Sequence, residues 1–303
     1  AVLSFIISRI HPGIWQKLAV PILGVGVLLL FLVIIPGIGT KVLGARRWLV
    51  LPGIVLQPSE LIKLVQVIYL SAWMTSKRVT LTQFMAYVAV IAGLIMLQPD
   101  LGTTLVVSGL AISLYFITGY PVKQLATILG VAMIAIIMFI GSSSYRIDRV
   151  KTFLDPTHDP LGSSYHIRQV ILALGSGGVT GVGIGRSRQK YEYLPESTTD
   201  SIIAVAGEEL GFIGVSIVML VFIYLISLIF KVAAKCRYPF NSALASGVGC
   251  WISLQVVLNL AAMVALTPLT GVPLPLVSYG GSALMTILMG LGLVIAVARV
   301  EKV

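Results

Sequence analysis

Asp200 closes the stretch YLPESTTD, and an apolar run, SIIAVAGEELGFIG, starts at the next position. A carboxylate placed there has two uses. It can cap the helix that the apolar run predicts, accepting a backbone N–H and complementing the helix dipole. It can also be a general base at the mouth of a cavity, taking the proton of an attacking hydroxyl. The two uses are compatible. Glu208 and Glu209 follow eight and nine residues later, roughly 12–13 Å along a helix. Either the helix overhangs the bilayer and both glutamates sit at its wet end, or at least one is buried. Carboxylates inside a membrane are costly and mark function by default, and we expect the buried role for at least one.

Other charged groups have simpler explanations beside the chemical one. Glu60 and Lys63 stand at i and i+3, share a helix face and can pair, which keeps two charges in a membrane at least cost. Arg46, Arg47 and Trp48 precede them and fit an interfacial anchor. Asp100, in QPDLGT, reads as a turn former between two helices that must pack antiparallel. His158 and His166 lack zinc-ligand spacing. The glycine-rich stretch Gly175–Gly185 contains no GxxxxGK[ST] and is no P-loop. The two cysteines, Cys236 and Cys250, make neither a disulfide framework nor a thiolate metal site.

The elements that position these groups follow from composition. Of 303 residues, 57% are apolar and 11% charged, with a mean hydropathy of +1.02. Soluble domains carry about 25% charged residues, so disorder, a coiled coil and an ordinary soluble enzyme are excluded. The fold class is all-α, a polytopic membrane helical bundle. A crossing helix needs about 20 apolar residues. Charge-free runs of that length are Leu18–Thr40, Val79–Pro99, Leu101–Val122, Gln124–Tyr145 and Leu210–Phe230. Gln57–Ser76 adds one that carries Glu60 and Lys63. Tyr238–Ala298 holds two more, split at Thr267–Ser282 by prolines and glycines. Eight complete spans result, and Ala1–Ile7 reads as the tail of another helix. The whole chain, 1–303, is read as one membrane domain.

Lysine and arginine set the orientation. With Arg9 and Lys17 cytoplasmic, alternation puts Lys77, Arg78, Lys123, Lys231, Lys235, Arg237, Arg299 and Lys302 on the same side. The opposite short loops hold Lys41, Arg46 and Arg47. The long loop within residues 144–199 lies on that opposite side and breaks the bias. It carries Arg146, Arg149, Lys151, Arg168, Arg186, Arg188 and Lys190. Basic residues concentrated there suggest that an anion is handled, the plainer alternative being contact with lipid head groups. The net charge of +10 is ascribed to topology and an anionic partner, not to nucleic acid.

Six segments, in order, resemble signatures of the SEDS family (shape, elongation, division and sporulation), which includes FtsW, RodA and SpoVE. They are QPSELIK at Gln57–Lys63 with GARRWL before it, LQPDLGT at Leu97–Thr103, and YRIDRVKTFLDP at Tyr145–Pro156. ALGSGGVTGVGIGRSRQKYEYLPE at Ala173–Glu196, AVAGEELGFIG at Ala204–Gly214 and PLTGVPLPLVSYGGS at Pro268–Ser282 complete the set. Family members have ten spans, so the resemblance implies that this chain lacks the first and most of the second. It also implies a peptidoglycan glycosyltransferase of the bacterial cytoplasmic membrane, with its active site on the extracytoplasmic side. The substrate would be lipid II, a disaccharide-pentapeptide on undecaprenyl pyrophosphate. The partners would be a class B penicillin-binding protein and other divisome or elongasome proteins. The family's essential aspartate falls in PExHTD, matched here by Pro195, Glu196, Ser197, Thr198, Thr199 and Asp200. Thr198 stands where the family has histidine, which removes one candidate hydrogen-bond donor. The TDSI stretch is more similar to division-type members than to RodA.

On this reading the 4-hydroxyl of an acceptor GlcNAc attacks the anomeric carbon of a donor MurNAc and undecaprenyl pyrophosphate leaves. Asp200 is the expected base. Preorganised cations stabilise the leaving diphosphate. Arg186, Arg188 and Lys190, ten to fourteen residues before Asp200, are the expected binders, with Arg46, Arg47 and Lys63. Glu60, Glu196, Glu208, Glu209 and Ser278 are expected as supporting polar groups. No metal ligands and no required cofactor are expected, although a divalent cation (Mg2+ or Mn2+) could bridge the diphosphate. Direct displacement would invert the anomeric centre and give a β-1,4 bond. The rival class is a flippase for lipid-linked precursors, using Glu60, Lys63, Glu208 and Glu209 as an intramembrane path. A third, a non-catalytic scaffold, leaves the basic loop unexplained.

Overall fold

The computed structural model describes residues 2–42, 45–51, 53–76, 78–141, 147–148, 151, 153, 165–187, 199–268 and 271–303. Among these residues there are ten helices and one small sheet. The first part of the chain runs α1 (Val2–Arg9), α2 (Pro12–Ile34), β1 (Gly39–Val42), β2 (Ala45–Leu51), β3 (Ile54–Leu56), α3 (Pro58–Ser76), α4 (Leu81–Met96), α5 (Leu101–Ile117) and α6 (Val122–Gly141). After these come α7 (Tyr165–Gly177), α8 (Ile202–Lys235), α9 (Pro239–Met263) and α10 (Gly281–Glu301).

Each of the eight apolar runs forms a helix, and the N-terminal tail is α1. The chain is an all-α membrane protein. By length and composition α2, α8, α9 and α10 can each cross a membrane, while α4, α5 and Val122–Met138 of α6 are shorter apolar helices. The boundaries follow local chemistry. Thr80 and Gln83 form a capping box at the start of α4. Asp100 starts α5 by accepting the Thr103 amide at 3.1 Å and the Thr103 hydroxyl at 2.9 Å, the turn-forming role expected of it.

The chain packs as two units. One comprises Ala1–Ala126, Ile226–Leu254 and Gly280–Val303, the other Thr127–Leu225 and Gln255–Tyr279. In the first, α3 packs on α2, α5 and α10, and 14 of its 19 residues are buried. Leu30 of α2, Ile62 and Val65 of α3, Ile91 and Ile95 of α4, and Val107 of α5 form a core cluster. Lipid is as apolar as leucine, so close packing and polar contacts, not the hydrophobic effect, hold such faces together in a bilayer.

A sheet occupies the stretch expected to be a short loop. β1, β2 and β3 form an antiparallel meander in which Gly39 faces Leu49 and Val50 faces Val55. Branched and aromatic residues (Trp48, Leu49, Val50, Ile54, Val55) suit a pleated surface. Arg47 fastens the sheet to the α4–α5 turn. Its Nε donates to the Gln98 carbonyl at 3.0 Å and its Nη2 to the Pro99 carbonyl.

Candidate active site

Residues 202–225 of α8 belong to the second unit; the helix is 34 residues long, about 51 Å if straight, against a hydrocarbon core of about 30 Å. It is not one uninterrupted helix. Gly211 lies inside it at φ 66°, ψ −169°, a conformation costly to any residue with a Cβ. The break removes the bonds that Phe212 and Ile213 would give to the carbonyls of Glu208 and Glu209. The glycine-rich stretch after α7 replaces them one for one. Val182 and Gly183 donate to the Glu208 and Glu209 carbonyls, both at 3.0 Å. Phe212 and Ile213 donate to the Gly178 and Val179 carbonyls at 2.9 and 3.1 Å. Broken helices persist at membrane depth only where such backbone groups are satisfied again. The approach needs bare backbone, because a Cβ on Gly181 would overlap the Glu209 carbonyl.

This splice positions the charged groups. Glu208 is 4% exposed, and its Oε2 accepts the hydroxyl of buried Ser187 at 2.5 Å. Glu209 is partly buried, with Oε1 shut away from solvent. Of the two glutamates, Glu208 is the buried one. Arg186 is exposed beside Ser187, and its amide donates to the Gly183 carbonyl at 3.1 Å.

Asp200 is partly buried in the turn before α8. It stands one residue outside the expected capping position. Ser201 occupies that place, and its carbonyl takes the amides of Ala204 and Val205 at 2.9 and 3.3 Å. The two peptide carbonyls ahead of Ser201 are each held by a side chain. Ser278 donates its hydroxyl to the Thr199 carbonyl at 2.5 Å and accepts the Leu274 amide at 2.8 Å. Asn259 of α9 donates through Nδ2 to the carbonyls of Asp200 and Val272, both at 2.9 Å. The Asp200 carboxylate lies over Gly271, where a Cβ would come 3.3 Å from Oδ2. His166 of α7 reaches the same turn, its Nε2 lying 2.7 Å from the Ser201 hydroxyl.

Asp200, Arg186, Glu208, Glu209 and Ser278 therefore share one unit. Arg188, Lys190 and Glu196 lie outside the described residues. Arg46, Arg47, Glu60 and Lys63 belong to the other unit. There Lys63 and Glu60 form a 2.6 Å ion pair with side chains 1% and 3% exposed, and the Lys63 ammonium lies 5.9 Å from the Trp251 ring centre. The guanidinium of Arg47 is committed to the Gln98 and Pro99 carbonyls of the α4–α5 turn. Among the described residues no group of three or more His, Cys, Asp or Glu could hold a metal ion.

Asn259, Ser187 and the His166–Ser201 contact escaped sequence reasoning. A signal for Asn259 existed: it is a lone amide in the apolar run VVLNLAAM, and a polar group inside a span asks for a partner.

Comparison with known proteins covers the whole chain. The FtsW/RodA/SpoVE family model, described as "Cell cycle protein", matches residues 1–303. The chain is 38% identical over 305 residues to a Trichlorobacter lovleyi protein named "Probable peptidoglycan glycosyltransferase FtsW", covering 97% of this chain and 79% of that one. It is 36% identical to stage V sporulation protein E of Bacillus subtilis, covering 98% and 83%. Among solved structures, a chain from a peptidoglycan synthase complex that coordinates polymerization and crosslinking superposes with a TM-score of 0.83 at 31% identity, covering 99% and 86%. The rod shape determining protein RodA of Thermus thermophilus gives 0.71 at 30%, covering 100% and 84%.

Proposed function

Because the chain belongs to the FtsW/RodA/SpoVE family, we propose that it is a peptidoglycan glycosyltransferase that polymerises lipid II, with Asp200 as general base. The observation that carries the residue assignment is the Asp200 turn, a partly buried carboxylate on backbone held by Asn259 and Ser278. The acceptor sugar's 4-hydroxyl has a high pKa and needs a base as it attacks. Asp200 takes that proton while the bond from the donor's anomeric carbon to the pyrophosphate breaks. The pyrophosphate is a good leaving group, so a second carboxylate acting as acid is not required. Displacement in one step inverts the anomeric centre and forms a β-1,4 link. Arg186, exposed in the same unit, is the described cation best suited to the leaving diphosphate, and Arg188 and Lys190 follow it in sequence.

The bias of basic residues supports an extracytoplasmic Asp200, and the family supports the bacterial cytoplasmic membrane as its location. The likeness to a chain of a synthase complex that joins polymerization to crosslinking supports a class B penicillin-binding protein as partner.

The test incubates the full-length protein and its transpeptidase with labelled lipid II, comparing wild type with Asp200→Asn. Glycan chains from wild type alone, with both proteins equally folded, support the assignment. Chains from both proteins remove Asp200 as base. Chains from neither, with lipid II crossing the bilayer of proteoliposomes, replace the polymerase by a flippase.

A further inference from the structure

We infer that Asn259 is a positioning residue for glycosyl transfer, fixing Asp200 against the Gly271 turn; this rests on Asp200 being the base. Asn259 is 1% exposed, on a stretch of α9 that is otherwise apolar. Its single NH2 group gives one hydrogen to the Asp200 carbonyl and the other to the Val272 carbonyl, each at 2.9 Å. Two carbonyl acceptors leave the amide one orientation, since turning it over would set Oδ1 against both oxygens. One side chain thus ties the residue bearing the base to the residue that follows Gly271.

The geometry of Gly271 makes that tie matter. Gly271 has φ +70°, and the place of its absent Cβ lies 3.3 Å from Asp200 Oδ2. The carboxylate therefore rests against bare backbone, and any drift of residues 271–272 relative to residue 200 moves the floor beneath it. Ser278 holds the preceding carbonyl, of Thr199, from the far end of the same loop, and accepts the Leu274 amide. Among the described residues Asn259 bonds both Asp200 and Val272, and both bonds go to main-chain carbonyls.

The experiment compares wild type, Asn259→Leu, Asn259→Gln and Asp200→Asn as full-length proteins with the transpeptidase. It measures kcat and KM for lipid II per folded molecule, with melting temperature in detergent as the folding readout. Leucine has asparagine's branching, though it is larger, and suits a membrane helix; Asn259→Leu removes both donors from the Asp200 and Val272 carbonyls. The expected result is a fall in kcat of about 10²-fold, the scale for a small misplacement of a reacting group. KM stays within about twofold, since substrate binding is untouched. Asn259→Gln, which keeps the NH2 group one methylene further out, recovers part of the lost rate. Wild-type kcat in Asn259→Leu, a change in KM alone, or a loss that only follows the folded fraction overturns the inference. An inactive Asp200→Asn beside a fully active Asn259→Leu overturns it and leaves Asp200 as base. An active Asp200→Asn overturns both.

Discussion

Ser187 gives its hydroxyl to the carboxylate of Glu208 at 2.5 Å, and both side chains are buried, at 2% and 4% exposure. The bond joins the end of the glycine-rich stretch to the last turn of α8 before its break. Replacing Ser187 by alanine withdraws a donor from a carboxylate that water cannot reach, at a cost of about 1–3 kcal/mol. The melting temperature in detergent should fall, and Ser187→Thr, which keeps the hydroxyl, should restore most of it.

Gly211 and Gly93 separate two kinds of glycine. Gly211→Ala must hold a Cβ at φ 66° and overlap the backbone of residues 179–181. The strained backbone alone costs about 1–3 kcal/mol, and the overlap adds to it, so little folded protein should be recovered from membranes. Gly93, inside α4, has open space where a Cβ would stand. Gly93→Ala should be neutral or raise stability by about 0.5–1 kcal/mol. Fluorescence-detected gel filtration of the two variants reads both outcomes.

The Glu60–Lys63 pair should show the asymmetry of buried charges. Glu60→Gln or Lys63→Met alone leaves one charge among apolar neighbours, at a cost of about 3–5 kcal/mol. The double variant Glu60→Leu/Lys63→Met removes both charges and should melt closer to wild type than either single one. Four melting curves, wild type included, decide it. A double variant as unstable as the sum of the singles would mean that the two charges act independently, with no coupling between them.

Cys236, just past the end of α8, gives a pH-dependent readout. Burial, and then the charge of Glu301, push its thiol up from the ordinary 9.0 to about 11. A raised pKa keeps the thiol protonated, so the reactive thiolate is scarce at neutral pH. In a Cys250→Ser background, maleimide labelling at pH 8 should run about a hundredfold slower than for an ordinary thiol, because two pKa units separate them. The rate should keep climbing above pH 9 instead of levelling. Glu301→Gln should speed labelling by removing the nearby charge. That carboxylate also holds the Arg237 and Tyr238 amides and the Asn241 side chain, so melting temperature is followed alongside.

The helices were legible because apolar run length is a strong signal: all eight runs and the N-terminal tail are helices, and Asp100 starts α5 as its turn chemistry implies. Glu60 and Lys63 pair as their spacing requires. The meander at β1–β3 was not legible, since strands this short leave too little alternation to outweigh a reading as loop and interfacial anchor. The break in α8 was hidden for another reason. Gly211 sits in a run apolar enough to continue, and only the Gly178–Gly183 backbone, about thirty residues earlier, makes the interruption tolerable. Asp200 stands out by its place before an apolar run and by motif resemblance, whereas Asn259 bonds main-chain carbonyls and leaves no motif. Arg188, Lys190 and Glu196 lie outside the described residues.

The burial of α3 has a consequence for mapping topology. Enclosed by α2, α5 and α10, this helix can carry Ser59, Glu60, Lys63, Gln66 and Ser71 buried along its length. A helix shielded in this way is less apolar than one that meets lipid, and α3 is not among the four that cross by length and composition. A span count limited to charge-free runs skips it, and one skipped span reverses the sidedness assigned to every later loop. Reporter fusions placed before Pro58 and after Ser76 should therefore report opposite compartments, a reversal that charge-free runs alone do not foresee.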